Sequence, residues 1–182
     1  DRVWYQTAFA DRDGAIAAPT AGLHFSKELL DRIHAAGVDN ARIFLKVGPG
    51  TFRPIRTAKV EEHALMPEEY EVSEEAAAGI RAAKSRKSQV LAVGTTAVRA
   101  LESCVSSNGE IQGGKGETRL MVMPPFKFRV VDALVTNFHL PRSTLLALVF
   151  AFAGTDLTRQ AYAEAIVQRY RFYSYGDAML IL

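Results

Sequence analysis

The sequence predicts an α/β fold in which helices flank a mixed sheet, and three observations support this prediction. Short apolar runs alternate along the chain with segments of helical periodicity, which is the pattern of an α/β domain. The length of 182 residues suits about one domain. The content of 48% hydrophobic and 23% charged residues is that of a globular protein and excludes a collagen-like or disordered chain. We therefore expect residues 1–182 to form a single α/β domain.

In the first half of the chain, predicted helices and strands follow one another closely. Ser26 and Ser73 are typical N-cap residues, and the helices that they open should end near Gly37 and Arg86. A third helix is expected directly after Gly94. The predicted strands of this half are residues 41–47, 70–72 and 89–93.

The second half of the chain contains two further predicted helices. Ser143 should cap a helix through the apolar run 145–154, which has about half of the ~20 residues that a membrane span requires, so we expect a buried helix. Thr158 is the expected cap of a helix that continues to Tyr170. The stretch 106–117 is polar and rich in glycine, and we expect it to be a mobile loop. The predicted strands of this half are residues 120–123, 128–135 and 178–182.

Composition limits the classes of function. The 22 Lys and Arg residues against 20 Asp and Glu give a net charge of +2, which is too small for binding nucleic acid by bulk charge. A nucleic-acid partner should therefore contact a local basic patch. The candidate patches are Arg81, Lys84, Arg86 and Lys87, or Arg169 and Arg171.

The cysteine content and the first residue predict the cellular setting. The single cysteine, Cys104, excludes an internal disulfide and favours a reducing, cytoplasmic environment. No zinc-binding spacing of His or Cys is present, so we expect no metal site. The sequence begins with Asp1 and shows no signal peptide, which suggests a cut end of a longer chain.

The strongest candidate for an anion-binding site is formed by Gly94, Thr95 and Thr96. A predicted strand leads into the glycine, and the next helix begins with free N–H groups and two hydroxyls. Such a helix start carries a partial positive charge and suits a carboxylate or phosphate. The alternative interpretation is that one threonine only caps its own helix.

A second glycine-containing loop follows the predicted strand 41–47. Gly48 and Gly50 would let the backbone approach a ligand closely, and Arg53 offers a planar set of hydrogen-bond donors. The loop lacks the Gly-Lys-Ser/Thr of a P-loop and the third glycine of a dinucleotide-binding fingerprint. On its own it is equally well explained as an ordinary tight turn.

Three of the four histidines fall in predicted loops, where they could transfer protons. His24, His63 and His139 lie beside polar or glycine-rich residues, and each is equally well explained as a hydrogen-bonded structural residue. His34 lies on the first predicted helix and should be a surface residue.

Basic and aromatic residues are interleaved near the C-terminus. Arg169 and Arg171 alternate with aromatic side chains, which would suit phosphates and stacked bases. The alternative is a helix end whose aromatic side chains pack into the core. The aromatic residues concerned are Tyr170, Phe172, Tyr173 and Tyr175.

Several longer motifs together indicate a family. They include AAPTAGLHF at 17–25, GTFRP at 50–54, VGTT at 93–96, TNFHLP at 136–141 and SYGDAM at 174–179. In these motifs and in their order along the chain, the sequence resembles the S-adenosylmethionine:tRNA ribosyltransferase-isomerase family of queuosine biosynthesis. The resemblance covers the whole chain but implies a longer family protein. It predicts that a small β-barrel domain on the N-terminal side is absent from this sequence.

The resemblance implies both a reaction and a set of site residues. In this reaction, S-adenosylmethionine is a co-substrate whose ribosyl group is transferred to a 7-aminomethyl-7-deazaguanine at the wobble position of tRNA and isomerised. The products are epoxyqueuosine-tRNA, adenine and methionine. We expect no metal, no membrane partner and a monomer. The implied catalytic residues are Glu62, His63, His24, His139 and Asp177. The implied substrate-binding residues are Thr20, Gly50, Thr51, Arg53, Gly94, Thr95, Thr96, Arg99, Asn137, Arg171 and Tyr175.

The chain departs from the family pattern at three positions. Lys46 and Met66 stand where the family usually has histidine, and Pro125 stands where a glycine is usual. These departures favour an alternative, a degenerate or truncated paralogue that binds the S-adenosyl ligand or tRNA without turnover. A generic nucleotide-binding module is a second alternative, in which ATP would compete with S-adenosylmethionine.

Overall fold

The computed structural model describes residues 5–10, 18–46, 48, 54–57 and 59–182, without the side chain of Glu61. The α-helices are α1 (Lys27–Ala35), α2 (Glu74–Ser85), α3 (Thr95–Ser103), α4 (Thr144–Ala153) and α5 (Thr155–Val167). The strands are β1 (Ile43–Lys46), β2 (Glu68–Val72), β3 (Leu91–Val93), β4 (Gly114–Thr118), β5 (Ala133–Asn137) and β6 (Ala178–Ile181). Two short 3-10 helices span Thr20–His24 and Val60–Glu62.

The strands form two small sheets, which corrects the expectation of one mixed sheet. Sheet A has the order β1-β2-β4 and is antiparallel throughout. Sheet B has the order β3-β5-β6, in which β3 and β5 are parallel and β6 is antiparallel to β5. The prediction of an α/β fold is confirmed, and sheet B is the mixed one.

Helix α3 lies in the core that both sheets share. Eight of its nine residues are buried, so the helix has no solvated face on which its charged residues could lie. Val98 packs in one cluster with Val72 of sheet A, Leu134 of sheet B and Leu148 of α4. Sheet A therefore helps to fix the helix that follows β3.

Serine caps begin three helices as predicted. The hydroxyls of Ser26, Ser73 and Ser143 each accept the N–H of the residue three positions later, at 3.1 Å. Each bond satisfies one of the N–H groups that a helix start leaves without an internal acceptor. None of the helices in the described part of the chain is both long and apolar enough to cross a membrane.

The region after α3 differs from the prediction. Part of the expected mobile loop forms β4, which pairs with β2. Gly116 leaves room for Tyr70 of β2, because a Cβ there would lie 3.0 Å from the Tyr70 hydroxyl. Residues 120–123 form no strand, and of the predicted strand 128–135 only the end belongs to β5. The N–H groups of Val130 and Val131 instead bind the buried carboxylate of Glu102 at 3.0 Å.

The last helix begins and ends earlier than predicted. Gly154, with φ +83°, separates α4 from α5, and α5 ends at Val167. Thr158 is not its cap: the Thr158 hydroxyl donates to the carbonyl of Gly154 at 2.7 Å from within the helix. Tyr170 consequently lies outside the helix, at the start of an irregular segment.

Candidate functional site

A small cavity lies at the carboxyl ends of β3 and β5. Because these strands are parallel, the residues that follow each of them meet at one edge of sheet B. In open α/β sheets, this edge is where ligands usually bind. The cavity has a volume of about 20 Å³. Its lining consists of Ala18, Pro19, Thr20, Ala21, Gly94, Thr95, Thr96, Thr136, Asn137, His139 and Leu145.

The N-terminus of α3 opens onto this cavity. Gly94 has φ +99° and donates its N–H to the carbonyl of Val135 at 2.8 Å, which ties the turn to β5. Gly94 is the N-cap and offers no side chain, so neither threonine caps the helix in the way the alternative interpretation required. Thr95 and Thr96 are buried and line the cavity. Two hydroxyls and the free N–H groups of the first helical turn therefore lie together at this point.

Asn137 connects three segments beside the cavity. Its side chain is 1% exposed, and its Oδ1 accepts a hydrogen bond from the hydroxyl of Thr20 at 3.2 Å. Its Nδ2 lies 3.2 Å from Nε2 of His24, 3.3 Å from the carbonyl of Tyr173 and 3.4 Å from that of Gly176. Because the amide nitrogen donates, Nε2 of His24 is the acceptor, and the proton of the neutral ring is on Nδ1.

His139 is held on both sides by hydrogen bonds. Its Nε2 lies 2.8 Å from the hydroxyl of Thr136, and its backbone N–H donates to the hydroxyl of Tyr162 at 2.9 Å. Burial lowers the pKa of His139 to about 4, so the ring is neutral at pH 7. Burial also raises the pKa of Tyr162 to about 12, although its hydrogen bond to His139 opposes the shift.

Asp177 closes the turn that precedes β6. Its carboxylate accepts the backbone N–H of Arg171 at 2.7 Å and Nη2 of the same residue at 3.0 Å. These hydrogen bonds, first of all the one from the Arg171 side chain, hold the pKa of Asp177 below its ordinary value. Asp177 is therefore an ionised residue that positions this turn. Gly176 is required in the turn, because a Cβ there would lie 2.5 Å from the carbonyl oxygen of Arg171.

Arg99, expected at the ligand, lies instead in the core and does not line the cavity. Only 3% of the residue is exposed; Nη1 lies 2.8 Å from the carboxylate of Glu68 on β2, and Nε donates to the carbonyl of Leu120 at 3.0 Å. Burial lowers the pKa of Arg99, and the charge of Glu68 opposes this effect. The arginine is one turn beyond Thr95, but it points towards sheet A, and this corrects its predicted role.

Other predicted site residues lie apart from the cavity. Glu62 is exposed at the end of its 3-10 helix, and within the described residues no hydrogen bond joins Glu62 or His63 to the cavity lining. Tyr175 is 58% exposed, and its ring centroid lies 5.4 Å from that of Tyr5. Gly50, Thr51 and Arg53 lie outside the described residues.

Three of the four residues of the first predicted basic patch pair with acidic side chains, and Arg171 of the second patch pairs with Asp177. Arg81 pairs with Glu74, Lys84 with Asp132 at 2.8 Å and Arg86 with Asp39 at 3.2 Å. Lys46, one of the departures from the family pattern, pairs with Glu69 on the surface of sheet A at 2.7 Å.

Two residues of the site were missed by the sequence analysis. Thr136 lines the cavity and binds His139, while Tyr162 fixes the backbone of His139. Thr136 would have been found had the predicted strand been extended to Asn137, because residues at the carboxyl end of a parallel strand face the ligand edge. The sequence around Tyr162 gives no indication of its role, because its hydrogen bond to the backbone of His139 joins α5 to the loop after β5.

Taken together, the fold and the cavity define an α/β protein in which threonine, asparagine and histidine side chains line a cavity at the carboxyl ends of two parallel strands. The chain belongs to the family described as queuosine biosynthesis protein, which matches residues 1–181. This finding confirms the resemblance inferred from the motifs.

Relatives and a solved structure agree with this membership. The S-adenosylmethionine:tRNA ribosyltransferase-isomerase of Anaeromyxobacter sp. (strain Fw109-5) is 56% identical over 181 residues, which cover 100% of this chain and 52% of that protein. The protein of the same name from Trichlorobacter lovleyi is 51% identical over 182 residues, covering 100% and 53%. The crystal structure of S-adenosylmethionine tRNA ribosyltransferase from Thermotoga maritima matches with a TM-score of 0.74 and 47% identity, covering 89% of this chain and 51% of that one. The chain thus spans about half the length of the curated relatives it matches.

Proposed function

We propose that this chain is the α/β portion of a longer S-adenosylmethionine:tRNA ribosyltransferase-isomerase. The reaction moves the ribosyl group of S-adenosylmethionine to 7-aminomethyl-7-deazaguanine in tRNA, isomerises it and releases adenine and methionine. The observation that carries the proposal is the meeting of the α3 N-terminus with Asn137 and His139 at one cavity, in a chain of this family. The comparisons do not favour the alternative of a paralogue without turnover, because the relatives match across the whole chain under the enzyme's name.

The N-terminus of α3 supports binding of the methionine carboxylate. A helix start attracts an anion through its free N–H groups and its partial positive charge. Thr95 and Thr96 add two hydroxyl donors, and Gly94 allows the backbone to turn towards the cavity without a side chain in the way. The other end of S-adenosylmethionine then extends along the edge of sheet B.

His24 and His139 are the best-placed groups for proton transfer. The reaction requires a base for a proton next to the sulfonium and an acid that assists the departure of adenine. Nε2 of His24 accepts from Asn137, and the neutral ring of His139 shares a hydrogen with Thr136, so both rings are held in defined orientations. Asp177 is a positioning residue, because it holds the turn whose Gly176 carbonyl faces Asn137. Glu62 and His63, which lie apart from the cavity, remain proposed catalytic residues.

The reaction itself is the first test of the proposal. The complete gene product is mixed with S-adenosylmethionine and tRNA that carries the 7-aminomethyl-7-deazaguanine. Adenine and methionine are then measured together with epoxyqueuosine in the digested tRNA. We expect equal amounts of the three products, none with tRNA that carries guanine at this position, and no effect of a metal chelator. Absence of adenine release from the folded protein would contradict the proposal.

The assignment of proton-transfer groups is tested by substitution. His24→Gln and His139→Gln should each lower kcat by about 10²–10⁴, the usual contribution of acid–base catalysis. His34→Gln, on the exposed face of α1, is the matched control and should leave kcat unchanged. If Glu62→Gln or His63→Gln gives the large loss and the His24 and His139 variants do not, the reacting groups lie outside this cavity.

A further inference from the structure

The segment from Arg169 to Tyr175 exposes an unusual combination of side chains. Tyr170, Tyr173 and Tyr175 are 48%, 45% and 58% exposed. The side chain of Arg171 is 75% exposed. We call these residues, together with Arg169, the Arg–Tyr segment. Large aromatic rings left in solvent beside arginines are typical of surfaces that bind single-stranded nucleic acid.

The Arg–Tyr segment has a fixed backbone. Arg169 and Tyr173 both adopt positive φ angles, of 59° and 75°, and the N–H of Tyr173 donates to the carbonyl of Phe138 at 2.9 Å. Phe172 points inwards, with its ring centroid 5.2 Å from Phe138 and 5.7 Å from Tyr162. Phe172 thus anchors the segment in the core. The tyrosines remain about half exposed, although the ring of Tyr170 also packs on Phe138 with centroids 5.6 Å apart and that of Tyr175 on Tyr5 at 5.4 Å. The two alternatives raised by the sequence therefore each describe part of the segment.

The segment is continuous with the cavity. Asn137, which lines the cavity, reaches the carbonyls of Tyr173 and Gly176 through its Nδ2. A molecule bound across the tyrosines would therefore lie next to Asn137, at the edge of the cavity proposed to bind S-adenosylmethionine. The competing patch at the end of α2 lacks this connection to the cavity. Ion pairing does not separate the two surfaces, because Arg81, Lys84 and Arg86 have acidic partners and Arg171 is paired with Asp177.

We propose that the Arg–Tyr segment binds unpaired bases of an RNA loop, namely the anticodon loop of the tRNA substrate. The rings of Tyr170 and Tyr175 stack on bases, and Arg169 and Arg171 contact the flanking phosphates. The wobble base is then presented to the cavity from the side of Asn137. This inference rests on the proposed function for the identity of the RNA, but the surface and its chemistry come from the segment itself.

The test compares tRNA binding by variants of the complete gene product. Tyr175→Leu removes the most exposed ring and should weaken binding of the unmodified tRNA transcript about 5- to 100-fold, the range for loss of one stacked base. Tyr175→Phe keeps the ring and should bind like the wild type. Arg169→Gln should weaken tRNA binding. It should also reduce the slope of log K against log salt concentration by about one, because one phosphate contact fewer releases one counterion fewer. Arg86→Gln, which also removes one positive charge, is the matched control and should change neither. All four variants should remain folded, with thermal unfolding shifted by no more than the loss of one exposed contact, and their S-adenosylmethionine affinity should be unchanged.

The outcomes separate this inference from the proposed function. If the wild type binds tRNA and Tyr175→Leu and Arg169→Gln bind equally well, the Arg–Tyr segment is not the RNA surface. A wild type that binds no tRNA also overturns the inference. If the variants lose binding as expected but the wild type releases no adenine, the surface assignment holds and the proposed reaction fails. Loss of binding in Arg86→Gln alone would place the RNA on α2.

Discussion

The side-chain amide nitrogen of Asn137 lies 3.2 Å from Nε2 of His24, a residue 113 positions earlier in the chain. The same nitrogen faces two backbone carbonyls of the turn before β6. Both carbonyls can only accept, so the position requires a donor, and asparagine supplies it.

We expect Asn137→Asp to destabilise the protein strongly. A carboxylate would face the backbone carbonyls of Tyr173 and Gly176 in a residue that is 1% exposed, and unsatisfied buried groups of this kind typically cost about 1–3 kcal/mol each. The free energy of unfolding in urea should fall by at least about 2 kcal/mol. Asn108→Asp, in an exposed loop, is the control. Equal stability of the two variants would show that the Asn137 hydrogen bonds are not formed.

The buried pair of Arg99 and Glu68 should contribute far more than an exposed pair. Glu68→Gln leaves the guanidinium of Arg99 in the core without a counter-charge, and breaking a buried pair in this way costs about 3–5 kcal/mol. Arg86→Gln breaks the exposed pair with Asp39 and should cost at most about 1 kcal/mol. Chemical denaturation of both variants measures the difference, and similar losses would disprove the burial argument.

The low pKa of His139 makes the protein less stable in acid. The folded protein keeps the ring neutral down to about pH 4, whereas the ordinary pKa in the unfolded chain is 6.5. Below pH 6.5 the unfolded state therefore binds more protons, and the free energy of unfolding falls as the pH is lowered towards 4. From these two pKa values, the loss between pH 7.5 and pH 5 is about 2 kcal/mol.

A pair of histidine variants isolates this contribution. In His139→Gln the position no longer titrates, so the fall in stability between pH 7.5 and pH 5 should be smaller than in the wild type by about 2 kcal/mol. His34→Gln, at an exposed position, should keep the wild-type pH dependence. An unchanged pH dependence in His139→Gln would mean that the His139 ring has the same pKa in the folded and unfolded states.

The hydroxyls at the start of α3 should matter for ligand binding more than for stability. Thr95→Val with Thr96→Val keeps the shape of both side chains and removes two donors from the cavity. If each hydroxyl binds the ligand carboxylate, the Kd for S-adenosylmethionine should rise by about tenfold or more, because a hydrogen bond to a charged group contributes about 1.5–3 kcal/mol. Calorimetry on the complete gene product measures the affinity. An unchanged Kd would remove α3 from the binding site.

Gly176 and Gly79 provide a matched pair of glycine substitutions. Gly176→Ala would push a Cβ to 2.5 Å from backbone atoms of Arg171 and Phe172, so we expect a loss of about 1–3 kcal/mol from overpacking. Gly79 lies within α2 with nothing within 4 Å of a built Cβ, and Gly79→Ala should stabilise the helix by about 1 kcal/mol. Thermal unfolding should therefore shift in opposite directions. A shift in the same direction for both would contradict the described geometry of the turn.

The sequence predicted those features that depend on neighbouring residues. Ser26, Ser73 and Ser143 cap helices through bonds to residues three positions away, so local pattern is sufficient to find them. β4 was mistaken for a loop because one of its glycines, Gly116, is explained by a distant partner, the ring of Tyr70. Local periodicity contains no information about such a contact.

In the candidate site, too, the sequence predicted the residues with a local pattern and missed those whose position depends on distant contacts. Thr95 and Thr96 were predicted from a strand, a glycine and a helix start in succession, and they line the cavity. Arg99 was misplaced because its partner, Glu68, lies on another sheet, and spacing along α3 does not reveal which way a buried arginine points. Asn137 came from a motif, but the contacts that it makes to His24 and Thr20 are visible only in the folded chain.

The ion pair between α3 and β2 has a consequence for how ligand affinity can change. In the described part of the chain, sheet A contributes no residue to the cavity lining, yet it holds the helix whose first turn does. A substitution on the inner face of β2 is therefore expected to shift the donors at Gly94, Thr95 and Thr96 without touching the cavity lining. If α3 binds the proposed co-substrate, such a change would alter the dissociation rate of that ligand and leave the groups proposed for proton transfer in place.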